Sequence, residues 1–312
     1  MKELHNAAQW ATASKARQDE IVNALVWQLN GFEVADAKTY TSEQPIRIFS
    51  IREKATGIVF LLIPGGTFMM GFDDTQKQAL VALGRQVIKD DEQDVVDIID
   101  DSFINSNFWH PVHPVHLAPF LLARFPLRWS EANELISVDE SNFLYRDYLN
   151  GPPMPNAEVA YLSIEEVEAL LQASGHVLPS ESQWEYACRA GSTTLFFWGN
   201  DLSNLYLVEN FNNKAANDAA SNRFGLVNMG FHGDICADIW HDNYEGAPSD
   251  GSPWLSGKSS NGERVVRGGA AVVYPWQGCY EWLSMLSALR SGSGAGEELG
   301  VNVRLAHLLP ML

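Results

Sequence analysis

The chain has 312 residues, enough for one large domain or two small ones, and its 46% hydrophobic and 19% charged content suits a packed core rather than disorder. Its 39 acidic and 21 basic residues give a net charge of −18. That balance argues against a nucleic-acid or anionic-membrane surface and leaves basic partners open. No apolar run reaches about 18 residues, so no membrane span is expected. Met1-Lys2-Glu3-Leu4-His5 lacks the apolar core of a signal peptide. Three scattered cysteines, Cys188, Cys236 and Cys279, do not read as a disulfide framework. A reducing cytoplasm is the simplest compartment.

Residues 1–30 read as helical. Ile21, Leu25 and Leu29 repeat at four-residue steps, Trp10 and Trp27 add bulk, and Gly31 ends the run. The first 44 residues are expected to form an N-terminal helical extension that packs on the rest. Residues 45–71 turn strand-like. Ile46 and Ile48, then Ile58, Phe60 and Leu62, alternate across a turn at Ala55-Thr56-Gly57. Gly65-Gly66 reads as a tight turn. Residues 73–104 form an insertion. Leu80, Leu83 and Val87 predict a helix, and the acidic run from Asp90 to Asp101 follows. That run lacks the glycine of an EF-hand loop and reads as a solvated face.

His110, His113 and His116 stand three residues apart, a spacing that invites a metal reading. Pro111 and Pro114 hold the segment extended, so His113 points away from the other two. Leu117 to Trp129 reads as a buried strand and a loop, and Ser130 as the cap of a short helix. Residues 150–157 read as a surface loop. Ser163 with Glu166, and Ser180 with Gln183, each form a capping box that starts a helix. In the second helix Trp184, Ala187 and Cys188 share the core face, and Glu181 and Glu185 are expected on the other side. Gly191 is placed to end it. The aromatics of Thr194 to Gly199 read as core, and the Asn-rich stretch 204–224 as irregular loop.

Leu178-Pro179-Ser180-Glu181-Ser182-Gln183-Trp184-Glu185-Tyr186-Ala187-Cys188-Arg189-Ala190-Gly191 resembles the signature of the formylglycine-generating enzyme, or sulfatase-modifying factor, family. Phe60 to Gly71 is similar to the opening of that domain. Arg264-Val265-Val266-Arg267-Gly268-Gly269 is similar to the segment leading into its active site. The resemblance implies an α+β, C-type-lectin-like formylglycine-generating-enzyme fold with low regular secondary structure. It assigns 45–312 to that domain, with the acidic insertion at 73–104.

The resemblance also implies two metal systems. Family members bind Cu(I) through two cysteine thiolates and use O₂ to oxidise a substrate cysteine in a Cys-x-Pro-x-Arg motif. A thiolate pair suits soft Cu(I). Here Cys279 falls near the second position, and Val272 or Val273 takes the first. A calcium ligand in the family's Asn-rich loop maps weakly onto Asn210. In Gly225 to Asp238, Phe231 replaces a family Asn and Asp234 a Glu, which degrades a second calcium site, since calcium needs oxygen ligands. Copper and calcium are therefore the cofactors the resemblance admits, and the residues argue for neither.

The expected function is a catalytically degenerate relative that binds a peptide or small molecule. Its groove would lie near Cys279 and be lined by Tyr274, Trp276, Trp282, Arg290 and Trp240, with Trp254 on the rim. A precursor peptide in a bacterial biosynthetic pathway is a partner by analogy. The competing reading is a copper-dependent oxidoreductase, which would need a second soft ligand beside Cys279. No Gly-x-Ser-x-Gly elbow supports a hydrolase.

Overall fold

The computed structural model describes residues 1–40, 44–87, 105–136, 159–204, 221–231, 233–257, 263–268, 281–293 and 301–310. Two helices come first, α1 at Ala7–Thr12 and α2 at Lys15–Gln28. The Asn6 side chain accepts from the amides of Ala8 and Gln9, and Ser14 from that of Arg17. These caps satisfy donors that a helix start leaves open. Leu4, Trp10, Ile21, Val22 and Leu25 are buried and belong to the main core.

Gly31 then turns the chain at φ 85°. The helical run ends there as expected, and the described remainder of the N-terminal extension is not helical. Phe32–Tyr40 is a strand, β1, in which only Phe32 is buried. Its weak alternation hid it from pattern reading. β1 pairs antiparallel with β2 (Ile46–Glu53), which pairs with β3 (Val59–Ile63) through Ser50 opposite Leu61. This is the expected hairpin around Gly57.

β4 (Gly66–Met70) and β5 (His113–Leu117) form a separate two-stranded ribbon. Gly65 leads into it because a Cβ there would meet the Leu117 carbonyl at 2.5 Å. β6 (Phe120–Ala123) pairs with β3, and β12 (Ala306–His307) pairs with β6, so the first sheet runs β1-β2-β3-β6-β12. Phe60, Leu61, Leu62 and Ile63 of β3 and all four residues of β6 are buried. An unbroken apolar run of this kind marks a central strand covered on both faces.

The second sheet contains β7 (Tyr161–Leu162), β8 (Asp234–Ile239), β9 (Arg264–Arg267), β10 (Arg290–Ser293) and β11 (Val301–Asn302), in the order β10-β9-β8-β11-β7. Only the β11–β8 pairing is parallel among these described strands.

Four further helices are α3 (Asp74–Val87), α4 (Trp129–Leu135), α5 (Ile164–Ser174) and α6 (Glu181–Arg189). α3 falls where the insertion was expected to be helical. The acidic run after it lies outside the described residues. α4 is capped at Arg128, not Ser130, because Glu131 reaches back to accept the Arg128 amide at 2.8 Å. α5 and α6 carry the expected boxes, with reciprocal bonds between Ser163 and Glu166 and between Ser180 and Gln183. α6 ends on Ala190 and Gly191, both at positive φ. It packs against β4, β8 and β9, which places it at the junction of ribbon and second sheet. No described helix is long and apolar enough to cross a membrane.

Candidate functional site

α6 carries a buried charge network. Glu181 and Glu185 were expected on the side of the helix away from Trp184, Ala187 and Cys188. Both are buried on that side too. The reason is the arrival of arginines from distant strands. Arg267 of β9 donates through Nη1 to Glu181 Oε1 at 3.0 Å and through Nη2 to Glu185 Oε2 at 2.6 Å. The same guanidinium reaches the Tyr244 hydroxyl at 3.2 Å and the Ser287 carbonyl at 2.8 Å. Arg189 donates to Glu185 Oε1 at 2.8 Å from one turn away. Burial pushes the Glu185 carboxyl up, but Arg189 and Arg267 outweigh it and hold it below its ordinary value.

Arg290 of β10 completes the group. Its Nε lies 2.7 Å from Glu181 Oε1. Its Nη1 donates to the carbonyls of Phe108 and His241, each at 2.9 Å. Its guanidinium lies between the rings of Trp240 and Tyr244, 4.4 and 4.6 Å from their centroids. Asp238 sits beside the network and accepts from the amides of Glu181 at 2.7 Å and Trp254 at 2.8 Å. Burial and then the neighbouring Glu181 push its carboxyl up to about 7.

Asp234 anchors a second buried pair. Its Oδ2 accepts from Trp184 Nε1 at 2.9 Å and Arg304 Nε at 3.0 Å. Arg304 also donates to the carbonyls of Ala123, Arg124 and Val227. Asp234 Oδ1 and the Asn228 amide are buried with no hydrogen-bond partner among the described residues. These groups do not suit calcium. The Arg304 guanidinium lies 3.0 Å from Asp234 Oδ2 and already supplies the positive charge that a calcium ion would bring. Among the described residues no group of three or more His, Cys, Asp or Glu side chains could hold a metal ion.

Of the groove expected from sequence, Tyr274, Trp276 and Cys279 lie outside the described residues, as does the calcium candidate Asn210. Trp282 is 4% exposed and packs with Phe196 in a smaller core with Phe72, Leu80, Trp109 and Met285. Arg290 is 3% exposed. Both side chains are buried among the described residues. Trp240 is half-buried, packs edge-on against Phe108 at 5.6 Å, and stands at the surface with it. Trp254 stacks on His241 at 3.5 Å.

A polar cleft of about 510 Å³ opens nearby, lined by Asp73, Asp74, Asn107, His110, Asn243 and Glu245. The Tyr244 amide ties its two sides by donating to the His110 carbonyl at 2.6 Å. The three histidines of 110–116 go separate ways. His110 lines the cleft, His113 Nδ1 lies 2.9 Å from the Pro111 carbonyl, and His116 Nδ1 lies 3.1 Å from Thr67 Oγ1.

Cys188 on α6 and Cys236 on β8 are both fully buried. Burial pushes the Cys188 thiol up to about 11 and the Cys236 thiol well above its usual value. Both are therefore protonated and shielded at neutral pH. Native protein treated with an aromatic disulfide reagent should leave Cys188 and Cys236 unmodified on peptide mapping, whereas both react in guanidinium chloride. Rapid native labelling of either would show that the core opens at that thiol.

A family model described as the sulfatase-modifying factor enzyme 1-like domain matches residues 47–295. The formylglycine-generating enzyme of Bos taurus is 25% identical over 280 residues, covering 79% of this chain and 74% of the relative. That of Mus musculus is 26% identical over 295 residues, with the same coverage. The solved structure of PvdO from Pseudomonas aeruginosa aligns with a TM-score of 0.53 at 21% identity, over 83% of this chain and 98% of that one, and so shares the fold. The matched span takes in both sheets' central strands and the α6 charge network, and by it the chain belongs to the sulfatase-modifying factor enzyme 1-like family, with the C-type-lectin-like α+β fold of the formylglycine-generating enzymes.

Proposed function

We propose that this chain is a binding member of the family that has given up cysteine oxidation and recognises a peptide or small molecule. The state of its cysteines carries the reading. The sequence holds three, and two of them are sealed in the core as neutral thiols. A Cu(I) centre built on two thiolates would have to draw its second sulfur from one of those, since Cys279 is the third. The surface aromatics Phe108 and Trp240, beside the polar cleft, supply contact area of the kind that binding sites use.

The test is mass spectrometry on a Cys-x-Pro-x-Arg peptide incubated with the Cu(I)-treated protein and O₂. The peptide cysteine should be recovered unchanged while an active family member converts it to an aldehyde in parallel. Conversion by this protein that disappears in Cys279→Ser would overturn the proposal and establish the oxidoreductase.

A further inference from the structure

A second cavity lies away from the charge network, between α5, β8 and the loop 250–253. Its volume is about 680 Å³, the size of a small-molecule site. The wall is aliphatic: Ile164, Val167, Leu171, Val177, Ile235 and Leu309 all line it. At its mouth Leu308 is 61% exposed. Aliphatic surface gathered in a concave site is what an apolar ligand would cover.

The polar groups on this wall choose the ligand's charge. Glu168 and Asp250 reach the cavity from solvent-exposed positions. The Asp250 carboxylate is turned onto Ser252, accepting from its amide at 3.0 Å and its hydroxyl at 2.6 Å. Exposed carboxylates of this kind bind a cation only weakly. Arg264 is half-buried and donates through Nη1 to the Ala237 carbonyl at 3.0 Å, a bond that holds the guanidinium against the wall. Five N–H donors leave it capacity for a planar anion. A partly desolvated guanidinium is the group that pairs strongly with a carboxylate.

We infer that this cavity binds an aliphatic carboxylate, with the hydrocarbon tail along Val167 and Leu171 and the head group on Arg264. The site is separate from the surface near Trp240 and does not rest on the reading given for it.

The experiment is calorimetric titration of the full chain with decanoate, decanol and decyltrimethylammonium, each below its micelle concentration. Decanoate should bind saturably at one site, and decanol about tenfold more weakly, the loss of one charge-assisted contact. Arg264→Gln should bring decanoate down to the level of decanol, and Arg264→Lys should keep part of the preference. Leu171→Trp, which fills the cavity, should abolish binding of both while circular dichroism and melting temperature stay as in the parent. Absence of saturable decanoate binding to folded protein overturns the proposal. So does equal binding of the cationic amphiphile, or undiminished decanoate affinity in Arg264→Gln or Leu171→Trp.

Discussion

Arg267→Ala should destabilise the protein by about 3–5 kcal/mol, the usual cost of removing one partner of a buried ion pair. The substitution takes a donor from four acceptors, Glu181, Glu185, the Tyr244 hydroxyl and the Ser287 carbonyl, and leaves Arg290 and Arg189 as the guanidinium partners of the two carboxylates. Arg267 is fully buried, so water cannot take its place without opening the core. Domains hold only about 5–15 kcal/mol in total, so the variant should lose much of its margin. Arg267→Lys should rescue little. Its single ammonium cannot span two carboxylates on successive turns of α6. Urea unfolding followed by tryptophan fluorescence gives the number. A midpoint for Arg267→Ala within error of the parent would mean the network contributes nothing net.

The second large effect is expected far from the arginines. Trp10→Ala should cost about 3–5 kcal/mol. Trp10 is 1% exposed, packs edge-on against Phe49 at 6.0 Å, and donates from Nε1 to the Arg47 carbonyl at 2.8 Å. It joins α1 to the second strand of the first sheet. The loss should appear as a single cooperative transition at lower temperature, because the helix shares its core with Phe60 and Leu122. A separate early transition, with the main one unmoved, would show instead that the N-terminal helices fold as an independent layer.

How much of this was legible follows from where the partners lie. Ser163 and Ser180 announced two helices, since a capping box is complete within four residues. Cys188 was placed correctly in the core because helical spacing set it beside Trp184 and Ala187. The same spacing put Glu181 and Glu185 on the opposite face and could go no further. Whether that face is wet depends on Arg267 and Arg290, which lie more than 80 residues on in the sequence. The pair of Glu185 with Arg189, four residues apart, was the local hint that charge would be buried there. Trp282 looked like a rim residue because it stands near Trp276. The run Leu283, Met285 and Leu286 beside it was the better signal, and all three are core. β1 was missed because eight of its nine residues are at least partly exposed, which leaves no alternation to read.

The positions of β11 and β12 also set the order in which the two sheets can close. β12 extends the first sheet through Leu122, and β11 joins β7 to β8 in the second. Arg304, between them in sequence, donates to three carbonyls on the strands and loops around it and to Asp234. β12 is an edge strand, so the first sheet can pair β1, β2, β3 and β6 without it, whereas β11 is internal and the second sheet cannot join β7 to β8 until residues 301–302 are in place. The order of closure is therefore local for the first sheet and long-range for the second, whose β7 and β11 are separated by well over 100 residues.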